Sequence, residues 1–197
     1  MNILQRKNRF VTNINIAFVL VPLILLPLII EYYFHSKDST VFLKYYDEVL
    51  IANIAYIVLA RFIFLDSAIF IFSHSKRHIH IALIQVVLLY LEVTVVTIIY
   101  YATVFYIFDV FSLFHLSAQL TPENLQDIHN HSFITSMYIS AVTFTTLGSG
   151  DWIPQTLSAM IAVTSEAILG VIQGGVFVAI LIYAHQNKEI QQNPTEL

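Results

Sequence analysis

Four long apolar runs, 14–30, 49–72, 81–108 and 156–184, constrain this chain more than any other feature. A helix rises about 1.5 Å per residue, so each run comes close to or exceeds the ~20 residues that cross the hydrocarbon core of a bilayer. Charged residues make up only 11% of the 197 residues, where a soluble domain carries about 25%. The expectation is an all-α membrane protein with four transmembrane helices. No region outside the runs is long enough for a separate soluble domain. The first run has no small-residue cleavage site and reads as an anchor rather than a removed leader. The formal net charge of −4 argues against nucleic acid as a partner, and the absence of cysteine excludes disulfides, thiolate metal sites and cysteine nucleophiles.

The third and fourth runs are joined by an unusual connection. A polar link, 109–131, is followed by a short apolar stretch, Phe133 to Phe144, then by Thr145-Thr146-Leu147-Gly148-Ser149-Gly150-Asp151, and Pro154 precedes the last run. The pattern predicts a short helix, a glycine-spaced loop and a long helix. Irregular backbone at membrane depth is tolerated only where it is buried in protein or lines a watery cavity. Alternating glycines let backbone carbonyls turn inward, and a ring of such carbonyls can replace the hydration shell of a monovalent cation.

Thr146-Leu147-Gly148-Ser149-Gly150-Asp151 resembles the Thr-Val-Gly-Tyr-Gly-Asp signature of the potassium-channel pore-loop superfamily. Pro154 lies three residues after the aspartate, as is common in that family, and Gly170 lies where many members carry a hinge glycine. The resemblance spans roughly 132–184 and unites motif with helical context. It implies a re-entrant pore helix and filter loop, and a tetrameric pore built from four identical chains. The Thr146 hydroxyl and the carbonyls from Thr146 through Leu147 and Gly148 to Ser149 would bind dehydrated K+ in a row, with Gly150 completing the filter. Asp151 would stand at the outer mouth and Thr145 would support the filter. No cofactor is implied, only permeant K+. Two residues depart from the signature: Leu147 for valine is mild, whereas Ser149 for tyrosine removes the ring that normally braces the filter. The alternative is therefore a non-selective channel that passes both Na+ and K+.

Other residues carry weaker signals. Glu166 lies one helical turn before Gly170, on the same face. A carboxylate there is costly in a membrane; it reads as a brace for the pore helix, a protonatable gate or a structural hydrogen-bond partner. Gly170, Gln173 and Gly174 read as hinge and cavity residues, and Gly175 as a close-packing glycine. Arg61 and Glu92 lie mid-depth on consecutive antiparallel spans and are expected to form an ion pair; Asp66 is a further buried charge. No run carries basic residues at every third position, so the first two spans are a peripheral pair rather than a voltage sensor. His74, His78 and His80 cluster in the link 73–80, and His115, His129 and His131 lie near the outer mouth; all read first as solvated interface histidines. Thr121-Pro122-Glu123 reads as a helix start.

Basic residues set the orientation. Arg6, Lys7, Arg9, Lys76, Arg77 and Lys188 fall on one side, and only Lys37 and Lys44 on the other, so both termini are expected in the cytoplasm. The organisation is then 1–72, a head and peripheral helix pair; 73–184, the pore module; and 185–197, a short tail. A plasma membrane is implied, with a prokaryotic inner membrane favoured; the partners are lipid and further copies of the chain, and gating is left to the filter, the fourth span, lipid, tension, pH or a separate regulatory partner. Two other classes fit less well. A proton-carrying transporter or enzyme using Glu92, Glu166 and the histidines would lack a half-repeat and a nucleophile motif. A non-conducting accessory subunit would give no current alone.

Overall fold

The computed structural model describes residues 27, 29, 32, 45–74, 83–117, 121–148 and 150–192. Most of the first apolar run, most of the basic link with His78 and His80, Ser149 and the last five residues of the tail lie outside the described residues, as do the side chains of Asp66 and His74.

Three long helices dominate: α1 (Tyr46–His74), α2 (Leu83–Ile107) and, at the C-terminal end, α6 (Leu157–Gln192). Among the described residues, Tyr90–Ile107 of α2 and Leu157–Ile182 of α6 are long and apolar enough to cross a membrane. Between α2 and α6 come α3 (Val110–Leu113), β1 (Phe114–Leu116), α4 (Pro122–Asn130), α5 (Ser132–Phe144) and β2 (Trp152–Pro154). Asp109 ends α2 at a positive φ of 55° and caps α3, its carboxylate accepting from the Phe111 N–H. Thr121 caps α4, with Pro122 at its start and Glu123 in its first turn, so the sequence signal for this helix is met.

The core lies where α5 is held between α2 and α6. Tyr100, Tyr101, Val104, Phe105 and Phe108 of α2 pack with Ile139 of α5 and with Ala159, Ala162 and Leu169 of α6; all are buried. The two alanines bring the α6 backbone close to its neighbours, the usual way small residues serve helix packing in membranes. Leu50, Ile54 and Ile57 of α1 close the same core. The opposite faces are apolar but exposed, as at Leu91 and Val95 of α2 and Val178 and Ile182 of α6.

Polar ties join the helices near one end. The Ser158 hydroxyl donates to Asp47 at 2.8 Å, fixing the start of α6 to the start of α1. The Tyr46 hydroxyl donates to the Phe108 carbonyl and lies 3.0 Å from Ser112 Oγ. Next to them, β1 and β2 form a two-stranded antiparallel sheet that pairs Phe114 with Pro154, His115 with Ile153 and Leu116 with Trp152.

The expected ion pair between Arg61 and Glu92 does not form. Arg61 is buried, and its Nη2 donates to the Val93 carbonyl at 3.1 Å, while Glu92 is exposed. The same Val93 carbonyl accepts from Thr97 Oγ1 at 2.7 Å. Glu92 and Val93 are consecutive residues and project from different sides of α2. The guanidinium therefore meets the backbone beside the acid, and its Nε is left without a partner.

Candidate functional site

The C-terminus of α5 delivers the glycine-spaced loop. The last carbonyls of any helix lack intrahelical partners and carry the negative end of its dipole. Here the loop folds back over that end. The N–H of Thr146 donates to Thr143 O at 3.0 Å, and those of Leu147 and Gly148 both donate to Val142 O, at 3.0 and 3.3 Å. Among the described residues no peptide bond is cis, so each C=O here points opposite to the N–H of its own peptide unit. The carbonyls of Thr145, Thr146 and Leu147 consequently point away from α5.

That arrangement requires unusual backbone. Gly148 takes φ of 79°, where glycine is at home, and Thr146 takes φ of 57°. Positive φ is a genuine outlier for a β-branched residue, and such strain clusters at ligand-binding and switch sites. The loop is open on its other side: Thr145, Thr146, Leu147, Gly148 and Gly150 are all exposed, and Leu147 reaches 79% exposure.

Behind the loop its far end, at Gly150 and Asp151, is fastened from two directions. Ser117, just past β1, donates its N–H to Asp151 O at 2.7 Å, and its hydroxyl lies 3.2 Å from Gly150 O and 3.1 Å from Asp151 O. Half-buried Asp151 also accepts from the Tyr138 hydroxyl of α5 at 3.4 Å. Sequence reasoning missed Ser117 and Tyr138. A serine 34 residues away gives no local signal. Tyr138 gave a faint one, since it is the only residue of the short apolar stretch with a phenol.

Deeper in the core, Glu166 is fully buried, and its Oε1 is hydrogen-bonded to Ser140 Oγ of α5. Ser140 also reaches the Ile98 carbonyl of α2 at 2.9 Å. Next to Glu166 on α6, Ser165 meets the Tyr101 hydroxyl at 2.9 Å. Gly170 passes directly over the end of α5, where a Cβ would lie 2.1 Å from Phe144 O. Close approach alone accounts for a glycine there. Gln173 is buried and donates to Thr94 Oγ1 of α2 at 2.8 Å, so within its own chain it ties two helices. A Cβ at Gly174 or Gly175 would meet nothing within 4 Å of the same chain. A cavity of about 240 Å³ opens between Thr145 and Thr146 on one side and Tyr90, Thr94 and Gly170 on the other.

His115, His129 and His131 are not gathered. His129 stacks on Phe111 with ring centroids 3.7 Å apart, and His131 Nδ1 lies 3.3 Å from the Asp127 carboxylate in the same helical region. His115 sits in β1. Among the described residues no group of three His, Asp or Glu side chains is placed to hold a metal.

Residues 93–186 match a family model described as "Ion channel". The match begins within α2, runs through α5 and the loop and ends within α6. No curated protein and no solved structure matches the chain. A short helix wedged between two membrane-length helices, delivering a strained loop with outward carbonyls, is the arrangement that the matched segment encodes, and the match supports the pore-loop ion-channel superfamily.

Proposed function

We propose that four copies of this chain assemble around the loop 146–150 and conduct K+ passively through a row of backbone carbonyls. The observation that carries this reading is the direction of the Thr145, Thr146 and Leu147 carbonyls, turned away from α5 by the N–H bonds to Thr143 and Val142. One chain supplies one edge of a conduit, and a ring of oxygens needs several. The α5 dipole adds a favourable field for a cation at its C-terminus. Asp151 adds negative charge at the outer mouth. In this reading α1 spans the membrane beside the pore module, with the first apolar run as a fourth span, and both termini are cytoplasmic in a plasma membrane.

Selectivity for K+ over Na+ depends on the loop keeping its width without a tyrosine at 149. Ser117 and Tyr138 supply a different brace, acting on Gly150 and Asp151 from outside. The experiment is a reversal-potential measurement on purified protein in planar bilayers, with K+ on one side and Na+ on the other. A reversal near the potassium equilibrium potential is expected. A reversal near zero with clear unitary currents would replace this reading with a non-selective Na+/K+ channel, and no unitary current would leave a transporter or accessory role.

A further inference from the structure

The bonds around Ser140 can be counted hydrogen by hydrogen. Its hydroxyl has one hydrogen and two oxygen neighbours, Ile98 O at 2.9 Å and Glu166 Oε1. Ile98 O is a carbonyl and can only accept. If Ser140 donated to an ionised Glu166, its oxygen would face the Ile98 carbonyl at bonding distance with no hydrogen between them. Unless its single hydrogen is divided between two acceptors, Ser140 satisfies both contacts in one arrangement only: it donates to Ile98 O and accepts a hydrogen from Glu166.

Two further observations agree. Glu166 Oε2 is buried with no partner. An ionised carboxylate divides its charge between both oxygens, so that orphan would be a half-charged atom in an apolar core, which is far costlier than a neutral carbonyl oxygen. Nor does a cation neutralise it. Among the described residues Glu166 has no ion pair. The groups facing this region are Tyr101 of α2, whose hydroxyl is engaged with Ser165, and Arg61 of α1, which lies on the Tyr101 side and donates to Val93 O. Ser140 is the polar contact from α5.

We propose that Glu166 is a proton-binding site: a neutral carboxylic acid whose hydrogen is a permanent part of the fold. The hydrogen runs from Glu166 to Ser140, and the Ser140 hydrogen runs on to Ile98 O, so a one-way chain links α6, α5 and α2 behind the loop. Glu166 thereby positions the loop-bearing helix without touching any ion. Removing the hydrogen leaves two acceptor oxygens, Ile98 O and Glu166 Oε1, sharing the one Ser140 hydrogen and unfastens α5 from one of its two neighbours. The consequence for conduction rests on the channel reading above; the protonation state does not.

The test is infrared difference spectroscopy of purified, reconstituted protein at neutral pH, wild type against Glu166→Gln. The amide keeps a donor for Ser140, so the variant is expected to assemble normally. The expected difference is loss of one protonated-carboxyl C=O band with no change among the carboxylate bands. Loss of carboxylate bands instead would overturn the proposal. Ser140→Ala provides a second reading that needs no change at Glu166: the acid loses its acceptor, and its C=O band should move to higher frequency. An unmoved band would overturn the donation to Ser140. Glu166→Ala, which removes the hydrogen donor altogether, should lose the current. The spectra are recorded without any current, so even a chain that did not conduct would reveal whether Glu166 holds its hydrogen.

Discussion

A Cβ at Gly170 would stand 2.1 Å from the carbonyl oxygen of Phe144, closer than any real contact allows. The glycine is thus the point at which the long last helix rests on the end of the short one. Gly170→Ala must push the two apart and should cost at least the ~1–3 kcal/mol typical of overpacking, seen as a lower midpoint of thermal unfolding in detergent. Gly174→Ala meets no atom of its own chain within 4 Å, and alanine favours a helix by up to about 1 kcal/mol, so its midpoint should hold or rise. If Gly170 served only as a hinge, Gly170→Ala would keep its stability and alter gating alone.

Thr146 holds a φ of 57°, which costs a β-branched residue on the order of 1–3 kcal/mol. Thr146→Gly should relieve that strain and leave the fold as stable or more so, while removing the hydroxyl proposed as an ion ligand. The expected result is an unchanged or raised unfolding midpoint together with reduced unitary conductance. A destabilised fold would show that the loop is not strained at this residue.

Ser117 makes its bonds to Gly150 O and Asp151 O from outside the loop. Ser117→Ala removes the hydroxyl and keeps the N–H bond, so a loss of about 1 kcal/mol is expected, concentrated at the outer end of the loop. Under bi-ionic conditions this should lower the preference for K+ over Na+. Ser149→Tyr should act in the opposite direction. Equal permeability ratios in all three proteins would remove the bracing argument.

Arg61 and Glu92 provide a test of what a buried charge does without its expected partner. Because Arg61 reaches a backbone carbonyl and Glu92 is exposed, a double-mutant cycle between Arg61→Gln and Glu92→Gln should give coupling near zero. Replacing a buried charge by an apolar residue of similar volume is often neutral or stabilising, so Arg61→Met should unfold no earlier than wild type. A coupling above about 1 kcal/mol would restore the ion pair.

Chain pattern made the helices and the loop legible, and left their mutual contacts obscure. Apolar runs marked α1, α2 and α6, and Thr121-Pro122-Glu123 marked the start of α4, because each signal is local and periodic. The filter motif was equally local. Ser117, Tyr138 and Ser140 were missed because their partners are 34, 13 and 26 residues away, and Ser140 looks in sequence like Ser132 and Ser136 of the same helix. The Arg61–Glu92 pairing was misjudged because depth in the membrane was read and the side of α2 was not. Gly170 was marked by position in a motif, whereas its neighbour Phe144 O is a backbone atom that no side-chain pattern records.

The β1–β2 pairing also has a consequence in chain statistics. Ser117 and Asp151 are bonded across 34 residues, so α4, α5 and the loop form a closed ring of polypeptide whose ends are joined. Closing a ring of that length carries a length-dependent entropy of about 3 kcal/mol, and contacts of such separation form later than helices do. The ends of the ring are therefore where its closure is held, and losing the Ser117–Asp151 bonds would return that entropy to the segment between them.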